Sequence, residues 1–128
     1  MNWTYSCPRC AAMLNPDETI IVVGEMGGHR VMVGFHPEPG NYHAFLPPGF
    51  EVEEGSLWNF ECPVCRQSLS AEIAPALCAL DMVTEGDRHR VYFSRTAGER
   101  ATFVISAEGI ERYGADVERH SLEMLELV

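Results

Sequence analysis

Four cysteines, set in two copies of one spacing, are the residues of this chain that are best suited to chemistry. The motif CPRC occupies residues 7–10, and CPVC occupies residues 62–65. Two cysteines three positions apart form a tight turn, a knuckle, whose sulfurs converge on one point, and a tetrahedral zinc or iron ion needs four such ligands. The sequence therefore predicts one four-cysteine metal site built from both knuckles. Its ligands are Cys7, Cys10, Cys62 and Cys65.

Two disulfides or free thiols are the alternative state for these cysteines. In an intracellular chain, however, this spacing is more typical of metal binding than of disulfides. A zinc ion held by four cysteines has no open position for water or substrate, so we expect it to organise structure rather than to catalyse. The four thiolates leave a surplus of negative charge around Zn²⁺. Arg9 and Arg66, beside the cysteines, either offset this surplus or are simply solvated.

The two knuckles belong to a longer internal similarity. WTYSCPRC at residues 3–10 is answered by WNFECPVC at residues 58–65. Further along, a weaker similarity recurs at an offset of 60 residues, where His29-Arg30 is answered by His89-Arg90. We interpret the chain as a single zinc-binding domain, 1–128, that is internally duplicated. Repeat 1 spans about 1–54, repeat 2 spans about 55–114, and a C-terminal helix spans 115–128.

Each repeat is predicted to place a short β-meander behind its knuckle. The predicted strands are 19–23, 30–35 and 42–46 in the first repeat and 77–84, 89–94 and 101–106 in the second, and the hairpin turns lie at 24–28 and 85–88. From residue 116 onward, apolar side chains recur at helical spacing. The predicted fold class is mainly β (α+β): two pseudo-symmetric repeats of a zinc knuckle and a β-meander, which share one four-cysteine metal site, with a C-terminal helix.

Three features break the similarity between the repeats. The loop 36–43 holds His36, Glu38 and His43, which could form a second metal or acid/base site, although the prolines that flank Glu38 also suit a rigid surface turn. Cys78, among apolar residues, is a core residue unless it is exposed beside a base. The predicted C-terminal helix is either a lid on the sheets or a docking surface for a protein partner or for a second copy in a homodimer.

The CPRC and CPVC motifs look like zinc-ribbon knuckles, and their arrangement resembles the bacterial CpXC-type domains. This resemblance implies that the four cysteines are zinc ligands, and it implies no activity. Rubredoxins are also similar, being acidic proteins that hold one redox iron in paired knuckles, which usually end in Cys-Gly. Here Ala11 and Arg66 follow the second cysteines. Since glycine eases the left-handed turn that aims backbone N–H groups at sulfur, its absence favours zinc over iron.

Composition narrows the choice of partners. The 128 residues carry a formal net charge of -10, and every base is arginine because the chain has no lysine. This charge argues against nucleic acid as a partner, since nucleic-acid binding needs many cations on one face. The sequence has neither an apolar run of about 18 residues nor a signal-peptide pattern, so we expect a cytoplasmic protein with no membrane partner.

The sequence carries no nucleophile elbow, phosphate-binding glycine loop, dinucleotide fingerprint or HExxH motif. We therefore predict a non-enzymatic adaptor or accessory subunit with one structural zinc, which binds a protein partner that presents a basic surface. The leading alternative is a rubredoxin-like one-electron carrier, with iron held by the four cysteines. A second alternative is a small enzyme with its site at the loop from His36 to His43.

Overall fold

Nine β-strands make up the regular structure of residues 3–72 and 74–120, the part of the chain that this computed structural model describes. In chain order they are β1 (Thr4–Ser6), β2 (Ile20–Met26), β3 (His29–Phe35), β4 (Ala44–Phe45), β5 (Asn59–Glu61), β6 (Leu77–Thr84), β7 (Asp87–Ser94), β8 (Thr102–Ser106) and β9 (Gly109–Tyr113). All of them pair antiparallel. They form a five-stranded sheet in the order β1-β6-β7-β8-β9 and a four-stranded sheet in the order β4-β3-β2-β5.

Two tight hairpins, β2–β3 and β6–β7, form the centre of the two sheets. The first closes through Gly27 and Gly28, with φ values of 62° and 83°, and the second through Glu85 and Gly86, with φ values of 52° and 85°. Positive φ at both turn residues matches the right-handed twist of the flanking strands. Both turns are shorter than predicted, because β2 continues to Met26 and β7 already begins at Asp87.

The short strand before each knuckle joins the sheet of the other half of the chain. In β1, Tyr5 lies opposite Met82 of β6, and in β5, Phe60 lies opposite Gly24 of β2. The sequence analysis predicts a separate meander for each repeat. The two sheets are instead linked, because each contains a strand from the other half of the chain. This exchange of strands brings both knuckles to the boundary between the sheets.

The two halves share a hydrogen-bond pattern, although not at the predicted offset. The Ile21 N–H donates to the Leu14 carbonyl and the Ala79 N–H to the Leu69 carbonyl, both with an N···O distance of 2.8 Å. Ile21 and Ala79 stand 58 positions apart, as do the two hairpin turns. The offset of 60 is therefore wrong by two residues in this region. The duplication itself stays a prediction.

The arginines that the offset of 60 had matched occupy different places in the sheets. Arg30 faces Glu25 across the hairpin, and its Nη2 lies 3.1 Å from Oε2 of Glu61. Arg90 faces Asp81, with Nε 2.8 Å from Oδ1. Arg90 thus pairs with a carboxylate on the neighbouring strand β6, whereas Arg30 on β3 reaches across β2 to Glu61 on β5.

A hydrophobic core lies between the two sheets. Its buried members are Tyr5, Cys7, Leu14, Ile20, Val22, Val33, Trp58, Phe60, Cys62, Leu69, Cys78, Leu80, Met82, Val91 and Val104. Gly24 lets the Trp58 ring lie against β2, since a Cβ at this position would approach Val33 Cγ2 to 2.9 Å and the indole to 3.0 Å. Two metal-site cysteines belong to this core, so the packing of the sheets and the position of the sulfurs depend on each other.

The predicted C-terminal helix, residues 115–128, is not supported. Within its described part, residues 115–120, only Val117–Arg119 form a turn of 3₁₀-helix. Asp116 stands where a helix cap would be, but its side chain makes no cap bond, because its Oδ2 accepts a hydrogen bond of 2.9 Å from the Arg100 N–H. Residues 121–128 lie outside the described residues. Residues 3–72 and 74–120 contain no α-helix, so the fold they show is two antiparallel sheets.

Candidate metal centre

Both knuckles have the same backbone geometry. The Cys7 carbonyl accepts a hydrogen bond from the Ala11 N–H at 2.8 Å, and the Cys62 carbonyl accepts one from the Arg66 N–H at 2.9 Å. Ala11 and Arg66 have φ values of 64° and 65°. The left-handed turn that glycine would ease is thus formed at both knuckles by residues with a Cβ. The absence of glycine therefore leaves this turn intact and no longer favours zinc over iron.

The four cysteine sulfurs converge on one point. Cys7 Sγ lies 3.9 Å from Cys65 Sγ, and Cys10 Sγ lies 3.7 Å from Cys62 Sγ. All four sulfurs lie within 4.8 Å of one another. A tetrahedral ion with metal–sulfur bonds of about 2.3 Å would separate its sulfurs by about 3.8 Å, whereas a disulfide needs about 2.05 Å. The four cysteines could therefore hold one metal ion, with two ligands from each half of the chain.

Burial and hydrogen bonding differ among the four thiols. Cys7 and Cys62 are buried, Cys65 is half-buried and Cys10 is exposed. Burial raises the pKa of the Cys7 thiol to about 12, although backbone N–H groups of the knuckle partly oppose the shift. A buried thiol of this kind ionises readily only beside a cation, so binding of a metal ion would release protons.

Backbone amides point at the buried sulfurs. The Arg9 N–H donates to Cys7 Sγ and the Val64 N–H donates to Cys62 Sγ, each over 3.3 Å. Such bonds stabilise thiolate charge, and around an iron site they help to set the potential. The arrangement therefore suits four thiolates around a divalent ion.

The two arginines beside the cysteines are exposed, and each side chain makes a polar contact with the protein. Arg9 Nε donates to the Ser68 carbonyl over 2.9 Å, which links the first knuckle to the residues behind the second. Arg66 Nε lies 3.8 Å from Oε1 of the buried Glu61. Arg9 therefore helps to hold the knuckles in place, whereas the Arg66 side chain is largely exposed and its pair with Glu61 contributes little.

The side chains of the second candidate site do not converge, although the His36 N–H donates to the His43 carbonyl over 3.3 Å and the Glu38 N–H donates to His36 Nδ1 over 3.1 Å. His36 and Glu38 line a cavity of about 560 Å³ between the two sheets, but His43 does not. His43 is exposed, and its ring packs edge-on against Phe45 with the centroids 4.6 Å apart. In the part of the chain that the structure describes, the four cysteines are the one set of three or more His, Cys, Asp or Glu side chains close enough to share an ion.

A half-buried polar cluster beside this cavity has no signal in the sequence. Glu99 Oε1 lies 2.6 Å from His120 Nε2 and accepts a hydrogen bond of 2.6 Å from the Ser94 hydroxyl. Burial alone would raise the pKa of Glu99, but these hydrogen bonds, with the charges of His120 and Arg119, hold it below its usual value. Because the carboxylate stands between the serine and the histidine, no imidazole accepts the serine proton. The cluster therefore fixes chain segments and does not activate a nucleophile.

Cys78 is a core residue. Its side chain is fully buried between the sheets, and burial raises the pKa of its thiol to about 12. A thiol in this state is a poor nucleophile.

Comparison with known proteins finds no match among protein-family models, curated proteins or solved structures. Among the described residues, no helix has the length and apolar character needed to cross a membrane.

Proposed function

We propose that this chain is a small acidic protein with one structural zinc ion, which acts as a protein-binding adaptor or accessory subunit. The observation that carries the metal part is the convergence of four sulfurs within 4.8 Å, two from each half of the chain. A zinc ion there would complete its coordination with protein ligands alone, which is the arrangement of structural sites.

Strand exchange gives such an ion a structural task. β1 and β5 each contribute only three residues to the sheet of the other half. Strands this short hold a sheet edge weakly by themselves. A metal ion bound by the knuckles that follow them would lock both crossings at once, so the folding free energy would depend on the metal.

The charge of the chain supports a protein partner with basic surface. The net charge is -10, with 19 acidic residues against 9 arginines. An excess of this size steers a basic partner toward the chain and disfavours the approach of a second copy. Since the predicted C-terminal helix is not supported, the proposal of a basic protein partner rests on the net charge.

Elemental analysis of protein purified from its native source tests the metal. We expect one zinc per chain and no iron. We further expect that a chelator which removes the ion abolishes the cooperative unfolding transition. A folded, metal-free chain with an unchanged transition would overturn the structural role.

Carbodiimide coupling tests the partner with unusual selectivity. The reagent joins carboxylates to lysines, and this chain has 19 acidic residues and no lysine, so couplings between two copies can use only the terminal amine. We expect one discrete adduct in lysate. The partner identified in it, once purified, should bind the zinc-loaded chain and lose affinity at about 1 M salt, where the Debye length is about 3 Å. A chain that couples to nothing, or equally to every basic protein, would contradict a specific adaptor.

An iron site with an electron-transfer role is the second candidate, and two observations favour it. Both knuckles keep the left-handed turn and the N–H···S bonds, and the Cys10 sulfur belongs to an exposed residue. One iron per chain, with a visible iron–thiolate spectrum and a reversible one-electron couple, would replace the zinc proposal with this one.

A further inference from the structure

The outer side of the four-stranded sheet carries apolar side chains that are partly exposed, although Val23 among them is buried. Residues that lie opposite one another on paired strands face the same side of the sheet. On the outer side, Val23 lies opposite Met32, and Gly34 lies opposite both Ile21 and Phe45. Met32 is 50% exposed and Phe45 is 46% exposed. We name the four side chains Ile21, Val23, Met32 and Phe45 the open face.

The corresponding side of the five-stranded sheet is covered by the chain itself. At the offset of 58 residues, Ile21 corresponds to Ala79, Gly34 to Tyr92 and Phe45 to Phe103. This side carries a second hydrophobic cluster. Its buried members are Ala71, Ala74, Leu77, Ala79, Tyr92, Ala101, Phe103 and Ile105, and Ile110 and Val117 pack against it.

The cover on the five-stranded sheet shows what kind of segment suits such a surface. It consists of irregular chain and one 3₁₀ turn, which present small or short aliphatic side chains, namely Ala71, Ala74 and Val117. No α-helix or further strand is needed. Among the described residues, no segment takes this place on the open face.

Acidic side chains stand at both ends of the open face. Asp17 and Glu18 are separated from β2 by Thr19 alone, and Glu25 lies near the other end of β2 on the outward side. None of the three makes an ion pair with another described residue, whereas Arg30, opposite Glu25, is held by Glu61. A second copy would place equal acidic rims, and two chains of net charge -10, against each other.

We propose that the open face binds a basic segment of the partner protein, with small aliphatic side chains on Met32 and Phe45 and with lysine or arginine beside the acidic rim. This inference rests on the proposed adaptor function and names its surface. The apolar contact would supply the anchor, and the charges would supply orientation and selectivity.

A photo-crosslinking amino acid at position 45 tests the surface. The zinc-loaded full chain carrying Phe45→p-benzoylphenylalanine is irradiated in lysate of its source cells, and the crosslinked peptide is sequenced by mass spectrometry. Leu57→p-benzoylphenylalanine is the position control, because Leu57 is exposed but lies outside the open face. Met32→Glu should reduce the adduct about tenfold, which corresponds to about 1.4 kcal/mol. Met13→Glu, at a methionine that is 57% exposed elsewhere, should leave it unchanged.

The expected result is an adduct at position 45 alone, on a peptide of another protein in which Lys or Arg flanks small aliphatic residues. An adduct with a second copy, or with residues 121–128 of the same chain, would overturn the inference. So would a peptide without basic residues, or a yield no higher than at position 57. If carbodiimide coupling identifies a partner while position 45 gives no crosslink, the adaptor function stands and only the proposal that the open face binds the partner is wrong.

Discussion

The outer side of the five-stranded sheet carries a buried hydrophobic cluster, whereas the outer side of the four-stranded sheet is partly exposed. Phe103 and Phe45 stand at corresponding positions of the two sheets, yet Phe103 is 0% exposed and Phe45 is 46% exposed. The hairpins and knuckles of the two halves follow the same pattern, so this difference does not come from the framework. It comes from residues added on one side only, which suggests where a function specific to this chain would be found.

The cover of the five-stranded sheet is held by polar contacts at its end. The Asp116 N–H donates to the Arg100 carbonyl over 2.9 Å, and the Asp116 carboxylate accepts from the Arg100 N–H. Next to it, His120 pairs with Glu99 and packs edge-on against the Phe103 ring. The half with the open face has no such set of contacts in the described residues.

Loss of the metal should have the largest effect, because the site joins the two sheets. We expect Cys10→Ser to lose the ion and unfold, since the apparent binding free energy of structural zinc sites is on the order of 10 kcal/mol. Circular dichroism and amide exchange would follow both sheets. Cys78→Ala is the control: it should retain the ion and lose on the order of 1 kcal/mol. Amide protection that survives in β6–β8 after metal loss would show that the covered sheet folds alone.

Replacing each of the two corresponding phenylalanines by alanine should lower the unfolding free energy by different amounts on the two outer sides. Phe103→Ala should cost about 3–5 kcal/mol of unfolding free energy, because it leaves a cavity in the second core. Phe45→Ala should cost less than about 1 kcal/mol, since its ring is already half in water. Denaturant unfolding of the zinc-loaded variants measures both. Equal costs would mean that the purified chain covers its open face, and sedimentation would then show whether a second copy does so.

Glu99→Gln should loosen the cover by a smaller amount that depends on pH. The pKa of Glu99 is held below its usual value, so the folded state favours the carboxylate. Its contribution to stability is complete above the pKa of the unfolded chain and is lost as pH falls through the lower folded pKa. We expect the variant to cost about 1–2 kcal/mol at neutral pH and to match the parent chain in acid. A cost that is the same at both pH values would show that the carboxylate charge is not what holds His120.

The sequence predicted the knuckles well because their geometry is local. Two cysteines three positions apart bring their sulfurs together whatever the rest of the chain does. The hairpins were also readable, since β-branched runs flank glycine-containing turns. The exchange of β1 and β5 could not be predicted, because a strand of three residues does not specify which hairpin it will join. The pairing of Tyr5 with Met82 also spans most of the chain.

The prediction of a C-terminal helix was wrong for a related reason. The spacing of apolar residues after Asp116 suits a helix, but the Asp116 carboxylate that could cap it is taken by Arg100, 16 positions earlier. The Glu99–His120 pair spans 21 positions and follows no periodic pattern. Such contacts depend on the tertiary fold, which spacing along the chain does not encode.

The knuckles give the finest test, because here the two halves are alike and should respond alike. Ala11 and Arg66 hold left-handed φ values of 64° and 65°, which cost about 1–2 kcal/mol for a residue with a Cβ. Glycine removes that strain but loses about 0.5–1 kcal/mol in backbone entropy. We therefore expect Ala11→Gly and Arg66→Gly each to gain about 0.5–1 kcal/mol in denaturant unfolding, with the metal content unchanged.

Ala12→Gly is the matched control, since Ala12 has no left-handed φ, and it should destabilise the chain. Arg66→Gly also removes a 3.8 Å contact with Glu61, but the Arg66 side chain is largely exposed and the pair contributes little. Opposite signs at positions 11 and 66 would mean that the knuckles differ in strain despite their equal backbone geometry. Equal gains would confine the difference between the halves to their outer sides, which is where the partner surface is proposed.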